Sequence, residues 1–191
     1  MELAAAITTF VVFAIVGIAV LLLLWAIYAY NRFIVLRNRI DNGWSQIDVQ
    51  LRRRYDLIPN LVETVKGYAA HEREVFQKVT EARAAMTSAT TVAEQGQAQN
   101  MITQALKSLF AVAEAYPELK ANQNFMMLQE ELAGTESKIA YARQFYNDTV
   151  MAFNTMVQSF PANLLAGAFG FTQRDYFPME EPAREPVKVQ F

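Results

Sequence analysis

The feature that most constrains this chain is a long uncharged segment near its N-terminus. From Leu3 to Tyr30 there is no Asp, Glu, Lys or Arg, although 19% of the whole chain is charged. A helix over this segment would be about 42 Å long, more than the roughly 30 Å of a bilayer's hydrocarbon core. The sequence therefore predicts a transmembrane anchor over residues 1–30.

A cleaved signal peptide is the alternative, and the residues do not fit it. A signal peptide has a positive N-terminal region and an apolar stretch of about 7–15 residues. Here Glu2 is the only early charge, and the apolar run is much longer. We therefore expect a single-pass anchor that stays on the protein.

The end of the span has the composition of a membrane interface. Aromatic residues suit the interfacial belt, and they are followed at once by arginines, whereas no Lys or Arg precedes the span. The positive-inside rule then predicts that the N-terminus lies outside and that residues 31–191 are cytoplasmic. The candidate membrane-interface residues are Trp25, Tyr28, Tyr30, Arg32, Arg37 and Arg39.

After the span, apolar residues recur at steps of three and four along most of the chain, which is the period of a helix buried on one face. We predict four such helices within residues 31–160, of which the last, over residues 121–160, keeps the 3.5-residue period of left-handed coiled-coil packing. Pro59 is expected to kink or end the first helix near Leu57–Ile58. Only seven Gly and six Pro interrupt the chain, which also favours long helices.

The predicted fold is all-α, with an N-terminal transmembrane helix followed by a long-helix four-helix bundle over residues 31–160. The C-terminal tail, residues 161–191, is expected to be mostly irregular. Asn163 is a candidate cap for a short helix ending at Phe169, with Gly170 closing it. The last residues, Val187–Phe191, alternate apolar and polar side chains and are strand-like.

Three stretches carry a resemblance to a known family. They are LRNRIDNGWSQIDVQLRRRYDLIPNLVETVKGYAAHE (36–72), ELKANQNFMMLQEELAGTESKIAYARQFYND (118–148) and FPANLLAGAFGF (160–171). Their sequence and order resemble the LemA family, over nearly the whole chain. The resemblance implies a bacterial single-pass protein of the inner membrane with a cytoplasmic helical bundle. It implies no catalytic residue.

No group of residues points to catalysis or to a metal. The chain has no Cys, and His71 is its only His, so thiolate sites and multi-histidine metal sites are excluded. His71-Glu72 resembles the start of a helical zinc-protease motif, but Val75 stands where the second His is needed. The motif is better explained as a surface helix residue beside a carboxylate. The acidic residues Glu130, Glu131, Glu136 and Asp148 are interpreted as charges flanking a core.

We therefore expect no enzyme activity, no cofactor and no small-molecule substrate. The net charge of −2 also gives no indication of nucleic-acid binding. The expected partners are the lipid bilayer, further copies of the chain and, as a further option, another membrane protein.

Two groups of residues are candidates for protein interaction. Three consecutive arginines cannot share one helix face, so at least one must lie near a neighbouring helix; pairing with carboxylates within the chain is favoured over contact with another subunit. The second group is the aromatic patch and the strand-like end of the tail, which either folds back or docks on a neighbouring subunit. The candidates are Arg52, Arg53, Arg54, Phe169, Phe171, Val187, Val189 and Phe191.

Three functions remain open on these grounds. The first is a membrane-anchored, non-enzymatic helical scaffold that self-associates at the cytoplasmic face of the membrane. The second is an adaptor or regulator of a membrane enzyme such as a protease, with Phe160–Tyr176 as its docking patch. A hydrolase that uses His71 is a remote third.

Overall fold

The computed structural model describes residues 2–178, which are almost entirely helical and contain no strand. The tail residues Val187, Val189 and Phe191 lie outside this range, so the strand-like end stays a prediction. The helices within the described range are α1 (Glu2–Lys66), α2 (Arg73–Ser88), α3 (Val92–Glu114), α4 (Pro117–Lys120), α5 (Gln123–Gln158) and α6 (Ala162–Phe169).

Helix α1 continues through Pro59 and ends at Lys66. Of the two predicted alternatives, a kink or an end near Leu57–Ile58, the end is therefore wrong, and residues 61–66 belong to α1 rather than to the second helix. Proline at this position removes one backbone donor. Ile58 and Leu61, on either side of it, are 1% and 0% exposed, and their burial offsets that loss.

Helix α3 begins with a complete capping box. The Thr91 side chain accepts a hydrogen bond from the Glu94 N–H at 3.2 Å. The Glu94 carboxylate in turn accepts from the N–H groups of Thr90 at 2.8 Å and Thr91 at 3.0 Å. These bonds satisfy donors that the first turn of a helix leaves open, and they explain why the Thr- and Ser-rich stretch ends there.

The short helix in the tail closes as the sequence predicts, but it begins differently. Helix α6 ends at Phe169, and Gly170 follows in the left-handed conformation with φ 70°. Its N-cap is Pro161 and not Asn163. The Asn163 N–H donates to the Ser159 carbonyl at 2.8 Å, so this residue already lies within helical backbone and the prediction of an Asn163 cap is wrong.

The described chain forms two compact units. The first contains the chain up to Asp41 together with Thr149–Arg174, and the second contains Asn42–Asp148 and the segment from Asp175 onward. The main core of the second unit collects apolar side chains from α1, α2, α3, α4 and α5. Its members with the least exposed side chains are Ile58, Leu61, Val65, Ala69, Ala82, Leu109 and Leu119.

The capping box makes a prediction about pH. Backbone hydrogen bonds from Thr90 and Thr91 lower the pKa of Glu94 to about 2, against an ordinary 4.5. Because the folded state favours the ionised carboxylate, its stabilising effect is present above pH 4.5 and is lost as the pH falls towards 2. We expect Glu94→Gln to remove this part of the pH dependence, measured by thermal unfolding followed by circular dichroism.

Glu130→Gln is the matched control, since Glu130 is an exposed residue within α5 that caps no helix. It should keep the parent's profile between pH 2 and 6. An unchanged profile in Glu94→Gln would contradict the assigned role of the capping box.

Candidate interaction sites

The predicted membrane-interface residues all lie on the surface of α1 in the first unit. Tyr28 is 70% exposed and Tyr30 is 37% exposed, and Trp25 is half-buried. All three arginines that follow, Arg32, Arg37 and Arg39, are exposed. Helix α1 is also the one helix of the described chain that is long and apolar enough to cross a membrane, and none of its most apolar window is buried.

An aromatic cluster at the end of the span brings the tail onto α1. The Phe171 ring stacks on Phe33 with 4.6 Å between centroids, and Phe153 of α5 contacts Phe33 at 5.8 Å. The Phe169 ring lies 4.9 Å from Tyr30. Two of the predicted interaction residues, Phe169 and Phe171, are thus held against their own chain, although Phe169 remains 58% exposed.

The three arginines have three different environments in the second unit. Arg52 is exposed and pairs with Asp48 on its own helix at 3.0 Å. Arg53 lies 3.8 Å from Glu131 of α5. The Arg54 side chain is only 4% exposed, and its guanidinium lies 2.6 Å from the Glu136 carboxylate of α5.

Arg54 belongs to a buried polar group that joins three helices. Besides Glu136, its guanidinium donates to the Thr103 hydroxyl of α3 at 3.1 Å. Arg143, also on α5, lies 3.5 Å from the second oxygen of Glu136. A buried charge is tolerated where it is paired and hydrogen-bonded in this way. This arrangement uses the charges to hold the three helices together.

Asparagine side chains hold the extended segment after α6. In the first unit, the amide group of Asn154 makes two hydrogen bonds of 2.8 Å with the backbone of Arg174, accepting from its N–H and donating to its carbonyl. In the second unit, Asn147 does the same with Phe177, at 2.8 and 3.0 Å. Each amide therefore pairs with the backbone as a neighbouring strand would.

Phe177 is the buried anchor of the extended segment. Its side chain is 1% exposed, its ring lies 6.1 Å from the Trp44 ring, and the Arg143 guanidinium lies 5.6 Å from it. The Tyr146 hydroxyl donates to the Asp175 carbonyl at 3.0 Å. As far as Pro178, the second unit's part of the tail thus folds back on its own chain. These contacts could not be predicted from local sequence patterns, because the asparagines lie 20 and 30 residues from their partners.

A surface groove between α1 and α5 is the main feature that the sequence interpretation missed. It has a volume of about 590 Å³. Val49, Tyr141 and Phe145 line it and remain 59%, 75% and 44% exposed. The remaining lining residues are Asn42, Ser45, Gln46, Gln50, Lys138 and Ala142. The available signal was the pair Tyr141 and Phe145, which are four residues apart and off the buried stripe of α5.

The remaining chemical candidates are dispersed. His71 is exposed and lies in the turn between α1 and α2, not on a helix as the sequence interpretation had it. In the described part of the chain, no three His, Asp or Glu side chains are grouped closely enough to hold a metal ion.

These features define a helical protein with an apolar N-terminal helix of membrane-spanning length. The sequence matches the LemA family over residues 43–191, and the chain belongs to that family. The expected resemblance is thereby confirmed.

Curated relatives include magnetosome proteins. The chain is 26% identical over 180 residues to magnetosome protein MamQ 2 of Paramagnetospirillum magneticum, over 81% of this chain and 66% of the relative. It is 24% identical to magnetosome protein MamQ of Magnetospirillum gryphiswaldense with the same coverage. Protein LemA of Metamycoplasma hominis is 27% identical over 134 residues, or 68% of this chain and 60% of the relative. The alignments thus span no more than 66% of these relatives' length.

The buried arginine makes a prediction about stability. Arg54→Ala removes a guanidinium whose side chain is only 4% exposed, together with its bonds to Glu136 and Thr103. Because Glu136 is 34% exposed and keeps Arg143 at 3.5 Å, we expect a loss of about 2–3 kcal/mol of unfolding free energy. Arg52→Ala, a change at the exposed neighbouring arginine, should change the free energy of unfolding by less than about 1 kcal/mol. Chemical unfolding of the full chain in detergent measures both. Equal stability of Arg54→Ala and Arg52→Ala would contradict the role of the buried pair.

The tail contact makes a second prediction. A Cβ on Gly96 of α3 would overlap the ring of Pro178, whereas a Cβ on Gly134 of α5 meets nothing within 4 Å. Both Gly→Ala changes raise helix propensity by about 1 kcal/mol, so a difference between them reports the contact. We expect Gly96→Ala to speed proteolytic cleavage near Phe177 and Gly134→Ala to leave it unchanged. Equal cleavage rates would mean that the tail does not rest on Gly96.

Proposed function

We propose that this protein is a membrane-anchored, non-enzymatic helical scaffold that associates with further copies of itself at the cytoplasmic face of the bacterial inner membrane. In this proposal α1 spans the membrane with its N-terminus outside. The second unit acts as the working part, with its long helices packed as a four-helix bundle. The names of these relatives denote no reaction, which supports a role other than catalysis.

The observation that carries the proposal is the groove between α1 and α5. Exposed Val49, Tyr141 and Phe145 form an apolar surface on long helices, where such side chains usually mark contact surfaces. Lys138 is the only charged residue that lines it. A partner surface of apolar and uncharged polar side chains would fit this lining, and a second copy of the chain brings such a surface with it.

The anchor and the charge distribution support self-association. Residues 31–86 carry ten basic and seven acidic side chains, net +3, and residues 87–191 carry seven and eleven, net −4. Neighbouring copies therefore have complementary segments to present. An anchor that holds every copy in one plane and one orientation also raises the effective concentration, so that weak contacts suffice.

The test is the particle mass of the full chain in mild detergent and in lipid nanodiscs. We expect the parent to form an oligomer and Tyr141→Asp to dissociate it, because the variant places a charge in the centre of the apolar groove. Met126→Asp is the matched control, since Met126 is 49% exposed on the same helix but does not line the groove. It should assemble like the parent.

Other results would change the proposal. A monomeric parent would overturn the scaffold. A parent that assembles equally well with Tyr141→Asp, but not when the chain ends at Glu181, would move the assembly surface to the tail. A monomeric parent that co-purifies with a different membrane protein, with the complex lost in Tyr141→Asp, would support the adaptor function instead.

A further inference from the structure

A second uncharged segment lies far from the anchor in sequence. Residues 149–173 contain no Asp, Glu, Lys or Arg. This segment includes the end of α5 and the whole of α6, and it belongs to the same compact unit as the anchor. A water-exposed helix surface normally carries charges, so the environment of α6 differs from that of the other helices.

Helix α6 buries small side chains and exposes large ones. Ala162 and Ala166 are 9% and 2% exposed and lie on one face. Leu164, two residues from each and hence on the opposite face, is 65% exposed, and Phe160 just before the helix is 81% exposed. Alanines on the inner face allow close packing, while Phe160 and Leu164 stay exposed in the described structure.

The aromatic cluster fixes the level of α6 along the anchor. Phe153, before α6, and Phe171, after it, both contact the Phe33 ring of α1. Phe169 contacts Tyr30, which is three residues, or about 4.5 Å, closer to the apolar span. Helix α6, which ends at Phe169, therefore lies on the span side of the cluster, beside the interfacial aromatic residues.

We infer that α6 and Phe160 form a second membrane contact, in which the helix lies in the headgroup layer next to the anchor and buries Phe160 and Leu164 among the lipids. An interfacial helix of this kind typically inserts its apolar face about 5–10 Å into the boundary between headgroups and acyl chains. Interfacial helices usually add Lys or Arg to this contact; α6 has none, and the described basic residues of this unit are Arg32, Arg37 and Arg39 of α1 and Arg174 of the tail, all exposed.

The inference names lipid as the occupant because of where α6 lies. It follows the same aromatic residues that mark the end of the span, and any partner protein at that level would itself lie in the headgroup layer. The anchor keeps α6 at the bilayer surface at all times, so modest burial of two large apolar side chains suffices to hold it there. The inference rests on the anchor spanning the membrane, as proposed above.

The chain has no cysteine, so a single introduced cysteine can be labelled without labelling any other residue. Leu164→Cys and Phe160→Cys in the full chain are labelled with an environment-sensitive fluorophore. The protein is reconstituted into nanodiscs of phosphatidylcholine and phosphatidylglycerol. Quenching is measured with lipids that carry a doxyl group near the headgroup, and separately with aqueous iodide.

Two control positions calibrate the measurement. Met127→Cys labels a residue of α5 that is 57% exposed beside the charged Glu130 and Glu131. Leu22→Cys labels a residue of the span that is 61% exposed. We expect positions 160 and 164 to be quenched by doxyl lipid and protected several-fold from iodide relative to position 127, with lipid contact at position 22 as well.

The outcomes distinguish whether water, lipid or a second copy of the chain covers α6. Iodide quenching at position 164 equal to that at position 127 would overturn the inference, because α6 would then face water. Protection from both quenchers would also overturn it and would indicate that a second copy of the chain covers α6. Loss of lipid contact at position 22 would instead refute the anchor itself, so the failure of the inference and that of the proposed function are distinguishable.

Discussion

The packing of the second unit depends on one buried charge. The Arg54 guanidinium is buried, and it pairs with the Glu136 carboxylate of α5 and donates a hydrogen bond to the Thr103 hydroxyl of α3. A displacement of α1 against α5 by one turn would leave the Arg54 charge unpaired in the core, which costs several kcal/mol, and a displacement of α3 would remove the Thr103 hydrogen bond. A polar residue among apolar ones often fixes the alignment of helices for this reason. The apolar stripes hold the helices together, and this group determines how they align.

The sequence predicts the helices of this protein well where periodicity is the deciding signal. The predicted stripe of α5 is buried from Phe125 to Phe153, although Phe160 at its predicted end is exposed, and Gly170 closes α6 at the predicted residue. The predicted alternative of a helix end at Pro59 failed because a rule based on proline alone does not include the burial of Ile58 and Leu61 on either side. The prediction of an Asn163 cap failed in a similar way, since the Asn163 side chain suits a cap but its backbone is already helical.

Contacts between distant residues are harder to predict. The sequence indicates that the arginines must point in different directions, but only the structure shows that Arg54 is the buried one. The sequence gives no indication that Asn147 and Asn154 bind backbone groups 30 and 20 residues away. The groove beside Tyr141 and Phe145 is an intermediate case: the spacing of these residues is visible in the sequence, but their exposure depends on which face of α5 the buried stripe occupies.

The asparagine contacts with the tail have a consequence for how the tail can evolve. Asn147 and Asn154 bind the N–H and carbonyl groups of Phe177 and Arg174, which every residue except proline offers. Side-chain identity between these two anchor points is therefore weakly restricted, and drift there should leave the path of the chain intact. The amides are also uncharged, so these hydrogen bonds are insensitive to pH and to ionic strength. The route of the tail thus depends on α5, while the exposed residues Asp175 and Tyr176 can change their surface chemistry.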